Sequence, residues 1–475
     1  MPKPQVRIRM YRPGLGDCFL LTFTSGDTKS HILIDCGIFV GTSNEKAHIS
    51  QIAQHILTET GQRVNALVAT HEHWDHIAGF NHARSTFDQL QTDEIWVAWT
   101  EDPDQTIAQE NKKMTAMMTK TLGLAVERLY AAPAAVDREC GVAAAHVLGF
   151  EGLSGDLLGA SKFSPRSDEA MDFISQRKHV AQPFLKPGQV LERSWLPGVR
   201  VYVLGPPMDL DAIRDMTSSR SETFESKNHG AAMGWMSAVM LGGRQNEFGA
   251  QERELAERLR PFDGAVTWPE SDAMSLSQAM GTLYESYQAQ DWRRIDNDWL
   301  QSAAHLALQV DNAINNTCLV LAFELIETEE VLLFVGDAQV GNWQSWMGLE
   351  FTIGKGNDRR KVSTQELLAR TAFYKVGHHG SGNATLRAGL EAMTSEELVA
   401  AIPTDEKFAR EKKGWEMPAP KLWKALGEKT KGRILRADPG LDAIPTQKPE
   451  NISRAAWDRF RRAVTQDPLF VDYEL

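Results

Sequence analysis

Cysteine is scarce in this 475-residue sequence: Cys18, Cys36, Cys140 and Cys318 stand singly, outside any Cys-x-x-Cys spacing. That excludes a disulfide scaffold and a thiolate zinc site, and because three of the four lie in apolar strand-like runs, buried reduced thiols are expected. Long apolar runs are missing too. No stretch approaches the roughly 18 apolar residues that span a bilayer, and the opening MPKPQVRIRMYRPG is basic without the apolar core of a secretion signal. No membrane partner and a cytoplasmic setting are therefore expected. Nor is there an excess of positive charge: the net charge of −12 excludes a uniformly basic nucleic-acid surface. Recognition of a polyanion is left to a local patch or to bound cations. No internal repeat or low-complexity tract is visible.

What is present is an ordinary globular balance, 42% hydrophobic and 24% charged, in a chain longer than one typical domain. The N-terminal region runs apolar in short bursts bounded by turn residues: VRIRMY, CFLLTF, HILIDCG, and NALVAT ending at Thr70. These read as strands, with a helix over 45–60 where apolar positions fall at helical spacing. Residues 80–200 read as helical and irregular until a strand at VRVYVLGPP, 199–207, stops at its prolines. Residues 208–312 are polar and mostly helical in pattern, an insertion or lid that could also hold a protein partner. Strands resume at NNTCLVLAFELI, VLLFVGD, AFYKVGHHGSG and LVAAIP. Four segments follow: 1–207 and 313–440 as two halves of one fold, 208–312 between them, and 441–475 as a helical tail.

The strongest chemical signal is His71-Glu72-His73-Trp74-Asp75-His76, directly after the apolar run ALVAT. Four potential ligands so close at a strand end can reach metal only if the chain turns there, with His71 and His73 facing one cation and Asp75 and His76 another. A merely solvated turn would be a costly coincidence in a chain with 13 histidines. The second signal is Gly336-Asp337 ending VLLFVGD, where a carboxylate could bridge two cations and hold them about 3.5 to 4 Å apart. A turn-forming Asp is the bland alternative, and only its place between the other two motifs raises it. The third is Lys375-Val376-Gly377-His378-His379-Gly380-Ser381. Adjacent side chains on an extended strand face opposite ways, so one of His378 and His379 is expected on metal while the other positions substrate or a ligand.

Together these motifs resemble the metallo-β-lactamase superfamily, and more closely the metallo-β-lactamase-like domain of bacterial competence DNA-uptake channel proteins and their soluble relatives. The likeness rests also on the Gly-Asp turn in GLGDCFLL, the Asp35 strand end in HILIDCG, the Asn-rich strand NNTCLVLAF and the ending KVGHHGS followed by Asn383-Ala384-Thr385. It covers roughly residues 5–80, 199–207 and 315–440. It implies an α/β fold, the αββα sandwich, here with a large helical insertion and a C-terminal extension. It also implies two divalent cations, zinc first and manganese as the alternative. By position, His71 and His73 would hold the first cation, Asp75 and His76 the second, Asp337 would bridge them, and His379 in preference to His378 would complete the second site. Asp35 and Ser381 would stand behind the ligands. Two departures stand out. Gly205-Pro206 occupies the strand end where many members place a third histidine for the first cation, leaving a distant residue such as His229 to fill in. Met417-Pro418 stands where the competence-type proteins have His-Pro.

Two cations sharing a carboxylate lower the pKa of a shared water and stabilise negative charge on an attacked oxygen, so hydrolysis is expected, through a metal-bridging hydroxide. Phosphodiester cleavage, with nucleic acid as substrate, comes first: Asp75, Lys375 and His378 are the expected catalytic residues, Lys375 as a donor to a phosphate oxygen or else as a solvated strand residue. From Asp405 to Arg436 ten Lys or Arg stand against five Asp or Glu, interleaved with Trp415 and Trp423. That pattern suits either backbone contact with base stacking or an amphipathic helix with its tryptophans packed inward. The alternatives are a hydrolase of a lactone, cyclic nucleotide or small phosphoester, and a non-catalytic metal-binding subunit.

Overall fold

The computed structural model describes residues 4–131, 135–153, 166–177, 180–214, 223, 278–290 and 303–475. The insertion expected over 208–312 and its His229 therefore lie largely outside the described residues. The first half builds β1 (Gln5–Tyr11), β2 (Phe19–Ser25), β3 (Thr28–Ile34), α1 (Glu45–Glu59), β4 (Arg63–Val68), α2 (Trp74–His82), α3 (Arg84–Phe87) and β5 (Gln91–Ala98). A helical hairpin, α4 (Thr106–Ala131) and α5 (Ala135–Leu148), and α6 (Arg166–Ser175) lead to β6 (Phe184–Leu185), β7 (Val190–Leu191) and β8 (Val199–Gly205). The second half supplies β9 (Val320–Leu325), β10 (Val331–Phe334), the small hairpin β11 (Glu350–Ile353) and β12 (Arg360–Ser363), β13 (Thr371–Lys375), β14 (Val399–Ile402), β15 (Ile434–Arg436), β16 (Val464–Gln466) and β17 (Phe470–Glu474).

Two sheets result, ordered β16-β17-β1-β2-β3-β4-β5-β6 and β15-β14-β13-β10-β9-β8-β7. Alternation along the strands explains why they stack. In β1 and β2, Val6, Ile8, Met10, Phe19, Leu21 and Phe23 enter one core together with Leu321, Phe323, Leu332, Phe334 and Phe373 of the other sheet. Their neighbours Cys18, Leu20 and Leu33 face α1 and α2, while Val320, Ala322, Val331 and Leu333 face the helices of the second half. The central strands β9, β10 and β13 are thus buried on both faces, which is why their runs read as continuously apolar, and the layers are α, β, β, α. Cys18, Cys36 and Cys318 are buried free thiols, as their apolar settings predict, and the side chain of Cys140 lies outside the described residues. Among the described residues no helix is long and apolar enough to cross a membrane.

The structure differs from the sequence reading in three places. The expected helical tail ends in two strands: β17 pairs antiparallel with β1, Ile8 opposite Tyr473, so the chain's last residues extend the first sheet. β7 and β8 belong to the second sheet, so the sheets do not divide at residue 207. And β5, parallel to β4, was hidden because its first half, QTDE, is polar and partly exposed, and only Ile95 to Ala98 are buried.

Beside the sandwich, α4, α5 and the helix Ala303–Asn315 share their own core through Leu122, Val126, Leu129, Leu148, Leu306, Val310 and Ile314. This three-helix layer delivers residues to the rim where the strand ends converge.

Candidate metal centre

Loops leaving β3, β4, β10 and β13 meet at one edge of the sandwich. The His71 to His76 segment is fastened there by backbone bonds: Asp17 N–H donates to Asp75 O (2.9 Å), Cys36 N–H to His76 O (2.7 Å) and Gly79 N–H to Cys36 O (2.8 Å). Only glycine fits at 37, since a β-carbon there would lie 1.9 Å from the Asp75 carbonyl. At the end of β10, Gly336 takes φ +54°, which aims Asp337 back across the gap, and Asp337 N–H donates to Cys318 Sγ at 3.2 Å.

Four of the ligand atoms are gathered most tightly: Asp17, His76, Asp337 and His379 bring one atom each within 4.8 Å of one another. His76 Nε2 is 3.2 Å from Asp337 Oδ2, and His379 Nε2 is 2.6 Å from Asp75 Oδ2 and 3.7 Å from Asp337 Oδ2. The His71 ring stands 4.2 Å from His76 and 4.7 Å from His73, centroid to centroid. All of these residues are buried. The sequence-predicted residues His71, His73, Asp75, His76, Asp337 and His379 are thus brought together, and Asp17 joins them. The Gly-Asp turn of GLGDCFLL was the only sign of Asp17 in the sequence.

Hydrogen bonds orient three of the imidazoles alike. His76 Nδ1 donates to Asp35 Oδ2 (2.7 Å), His379 Nδ1 to the Pro403 carbonyl (2.7 Å), and His71 Nδ1 meets Thr70 Oγ1 (3.1 Å), whose own proton goes to Asp35. With each Nδ1–H held from behind, the Nε2 of each ring turns inward, the arrangement that metal-ligating histidines adopt. Asp35 is the organising group: fully buried, it also accepts from Thr70 N–H at 2.8 Å.

Electrostatics divide the cluster. Burial opposes charge on His76, yet Asp337, Asp17, Asp35 and Asp75 together hold it well above the ordinary imidazole range. Burial wins at His71, where the neighbouring imidazoles reinforce it, and at His73, which its own burial lowers to about 3. Asp337, despite burial, is held well below the usual carboxylate range by His76 and Lys375.

Three expectations are corrected. Lys375 does not reach toward substrate: it is buried, and Asp17 Oδ2, the Gly336 carbonyl (2.7 Å) and Asp337 Oδ1 (3.2 Å) take its three protons. It counters the charge of the two carboxylates. Ser381 spends its hydroxyl proton on Asn383 Oδ1 at 2.7 Å, away from the ligand atoms. His378 and His379 do not lie on an extended strand. Both adopt left-handed φ, 42° and 52°, just past β13, a strained pair that sends His379 into the cluster and His378 to its rim. There His378 N–H donates to Asp337 Oδ1 (2.9 Å), and its Nδ1 lies 3.3 Å from the Gln339 amide nitrogen, which also donates to Asp311 Oδ2 (3.1 Å).

Whether this set fits cations is answered by its unsatisfied atoms. Among the described residues sixteen buried side-chain N and O atoms lack a hydrogen-bond partner, and ten belong to this cluster and its rim: Asp17 Oδ1, His71 Nε2, both ring nitrogens of His73, Asp75 Oδ1, His76 Nε2, Asp337 Oδ2, His378 Nε2, Glu151 Oε1 and Asp311 Oδ1. Buried polar atoms are costly to leave unpaired, so such a concentration of imidazole and carboxylate donors fits divalent cations. At position 205, where a third histidine was absent from the sequence, a side chain has no room: a β-carbon there would lie 2.2 Å from Asn342 Oδ1.

The metallo-beta-lactamase superfamily model matches residues 11–103, the stretch from the end of β1 past β5 that contains Asp17, Asp35 and the histidine string. No curated protein matches the chain.

Proposed function

We propose that the chain is a metal-dependent hydrolase of phosphodiesters, acting on nucleic acid, with two divalent cations, zinc first, held by His71, His73, Asp75, His76, Asp337 and His379. The observation that carries the hydrolase reading is the concentration of unsatisfied imidazole and carboxylate atoms at one sheet edge. When bound, the cations supply Lewis acidity, lowering the pKa of a water and offsetting charge on the attacked oxygen. The protein's own part is positional. Asp35, Thr70 and the Pro403 carbonyl fix three rings, and Lys375 lets Asp17 and Asp337 stand close without mutual repulsion.

His378 is placed to hold a proton at the rim. Burial raises the Asp311 carboxyl to about 6, so near pH 7 it is largely ionised and accepts the Gln339 amide proton. The second amide proton then points to His378 Nδ1, which leaves the ring's N–H on Nε2, where it can donate a hydrogen bond to a substrate oxygen.

The substrate class rests on the residues beside the cluster. Phe150 lies against His73 and His378 (5.2 and 5.6 Å) and stacks on Trp415 (5.3 Å, 10°), which follows the basic turn carrying Arg410, Lys412 and Lys413. A basic, aromatic edge beside buried ligands, on an otherwise acidic chain, suits a phosphodiester backbone with stacked bases. The test is turnover of bis-p-nitrophenyl phosphate, single-stranded and duplex DNA, and lactones, with zinc or manganese, against Asp337→Asn. Cleavage of the phosphodiesters is expected. Turnover of lactones alone would reject the substrate class, and no turnover with metal bound would leave a binding subunit.

A further inference from the structure

His73 is the exception among the clustered histidines. Whereas His71, His76 and His379 each have an Nδ1 partner behind the ring, neither nitrogen of His73 has one in hydrogen-bonding line. A carboxyl group stands beside it from far along the chain: Glu151 Oε1, 3.5 Å from His73 Nε2. Glu151 is buried, lies in the turn Gly149–Glu151 that ends α5, and leaves Oε1 unpaired while Oε2 accepts from Ser167 Oγ at 3.3 Å. The adjacent Phe150 covers the same imidazole with its ring, 5.2 Å away and tilted by 33°. Both residues fall outside the stretch matched by the superfamily model.

We propose that Glu151 is the positioning residue of His73: it accepts a hydrogen bond from Nε2–H, which keeps the ring's lone pair on Nδ1 and commits that nitrogen to the cation shared with His71. The proposal rests on the metal-site reading above. It gives the helical layer a task, since a carboxyl from the end of α5 does for His73 what Asp35 does for His76, through the opposite ring nitrogen. A carboxylate behind a ligating imidazole fixes tautomer and orientation, and losing one costs about 10–100-fold in metal affinity.

The test is zinc titration of the metal-free full chain against a competing chelator, for the wild type, Glu151→Leu and Glu151→Gln, with melting temperatures recorded. Two binding steps are expected in the wild type. In Glu151→Leu one of them should weaken by about 10–100-fold while the other holds. Glu151→Gln keeps an oxygen that accepts the N–H and should stay within about threefold of the wild type in both steps. If Glu151→Leu does not fold, Glu151→Ala takes its place. The proposal is overturned if the truncated variant binds as the wild type does, or if Glu151→Gln is as weak as the truncation, which would make Glu151 a charged ligand instead. A wild type that binds no zinc overturns the hydrolase reading along with it, whereas two intact steps in every variant overturn this proposal alone.

Discussion

Among the described residues, the buried charge around Glu324 and that around Asp337 are finished differently. Glu324 on β9, 1% exposed, has both oxygens in use: Oε2 accepts from Tyr202 OH and Arg200 Nη1 (both 2.7 Å), and Oε1 from Arg370 Nη1 (2.8 Å). The cluster around Asp337 is at least as buried, yet most of its inward-facing atoms are without partners. The same fold can close a carboxylate completely when structure is the purpose. Ligand atoms left open at the sheet edge therefore mark a place kept for something else to bind.

The contrast breaks most visibly at Asp337. Asp337→Asn keeps the shape but removes the charge that the two cation positions would share, and several kcal/mol of Lewis-acid stabilisation corresponds to a fall in turnover of at least about 1,000-fold. Metal analysis should show fewer than two ions per chain. Full occupancy with unchanged turnover would remove Asp337 from the site.

Next comes the cation buried beneath it. Lys375→Met strands Asp17 and Asp337 against each other, and breaking a buried pair costs about 3–5 kcal/mol. Thermal melts of the metal-free variant should show that loss. Zinc should recover part of it, since a ligand at 100 times its dissociation constant stabilises by about 2.7 kcal/mol. Equal stability of variant and wild type without metal would mean that Lys375 does not balance these acids.

At the closed cluster the effect is smaller and depends on pH in a defined direction. Burial would raise the Glu324 carboxyl, but Tyr202, Arg370 and Arg200 outweigh it and the group is held below its ordinary 4.5. A carboxylate depressed on folding contributes stability that is complete above its unfolded value and is lost as pH falls through the folded one. Glu324→Gln should cost about 1.5–3 kcal/mol near pH 7, and its deficit should shrink below pH 4.5. Urea melts from pH 3 to 7 that gave a constant deficit would contradict this, and zinc should leave the comparison unchanged.

The sequence made the open cluster more legible than the closed one. Histidines packed into six positions at a strand end, a Gly-Asp turn and a His-His pair are rare enough to stand out, and each is local. The strands around them were legible because both faces are buried and the runs stay apolar. What escaped notice depends on chain separation. Glu324 meets Arg200 across 124 residues and Glu151 meets His73 across most of α4 and α5, pairings that no local pattern announces. β17 escaped for the same reason, since a short final strand becomes part of the sandwich only once β1 is there to receive it. The left-handed pair at His378 and His379 was invisible in another way: its strain is imposed by the converging loops, against the preference of the residues themselves.

The mildest perturbation bears on substrate. Trp415 packs on Phe150, Phe39 and His146 and is only partly buried. If bases stack along this edge, Trp415→Ala forfeits about 1–3 kcal/mol per base, which raises KM for single-stranded DNA by roughly 5–150-fold. The small substrate bis-p-nitrophenyl phosphate has no base to stack and should keep its KM within about twofold, and Trp415→Phe should restore most of the DNA effect. Steady-state kinetics on both substrates separate the two roles of this ring. A KM change confined to DNA makes it a stacking platform, whereas equal losses in kcat on both would make it a brace for Phe150 and, through Phe150, for His73.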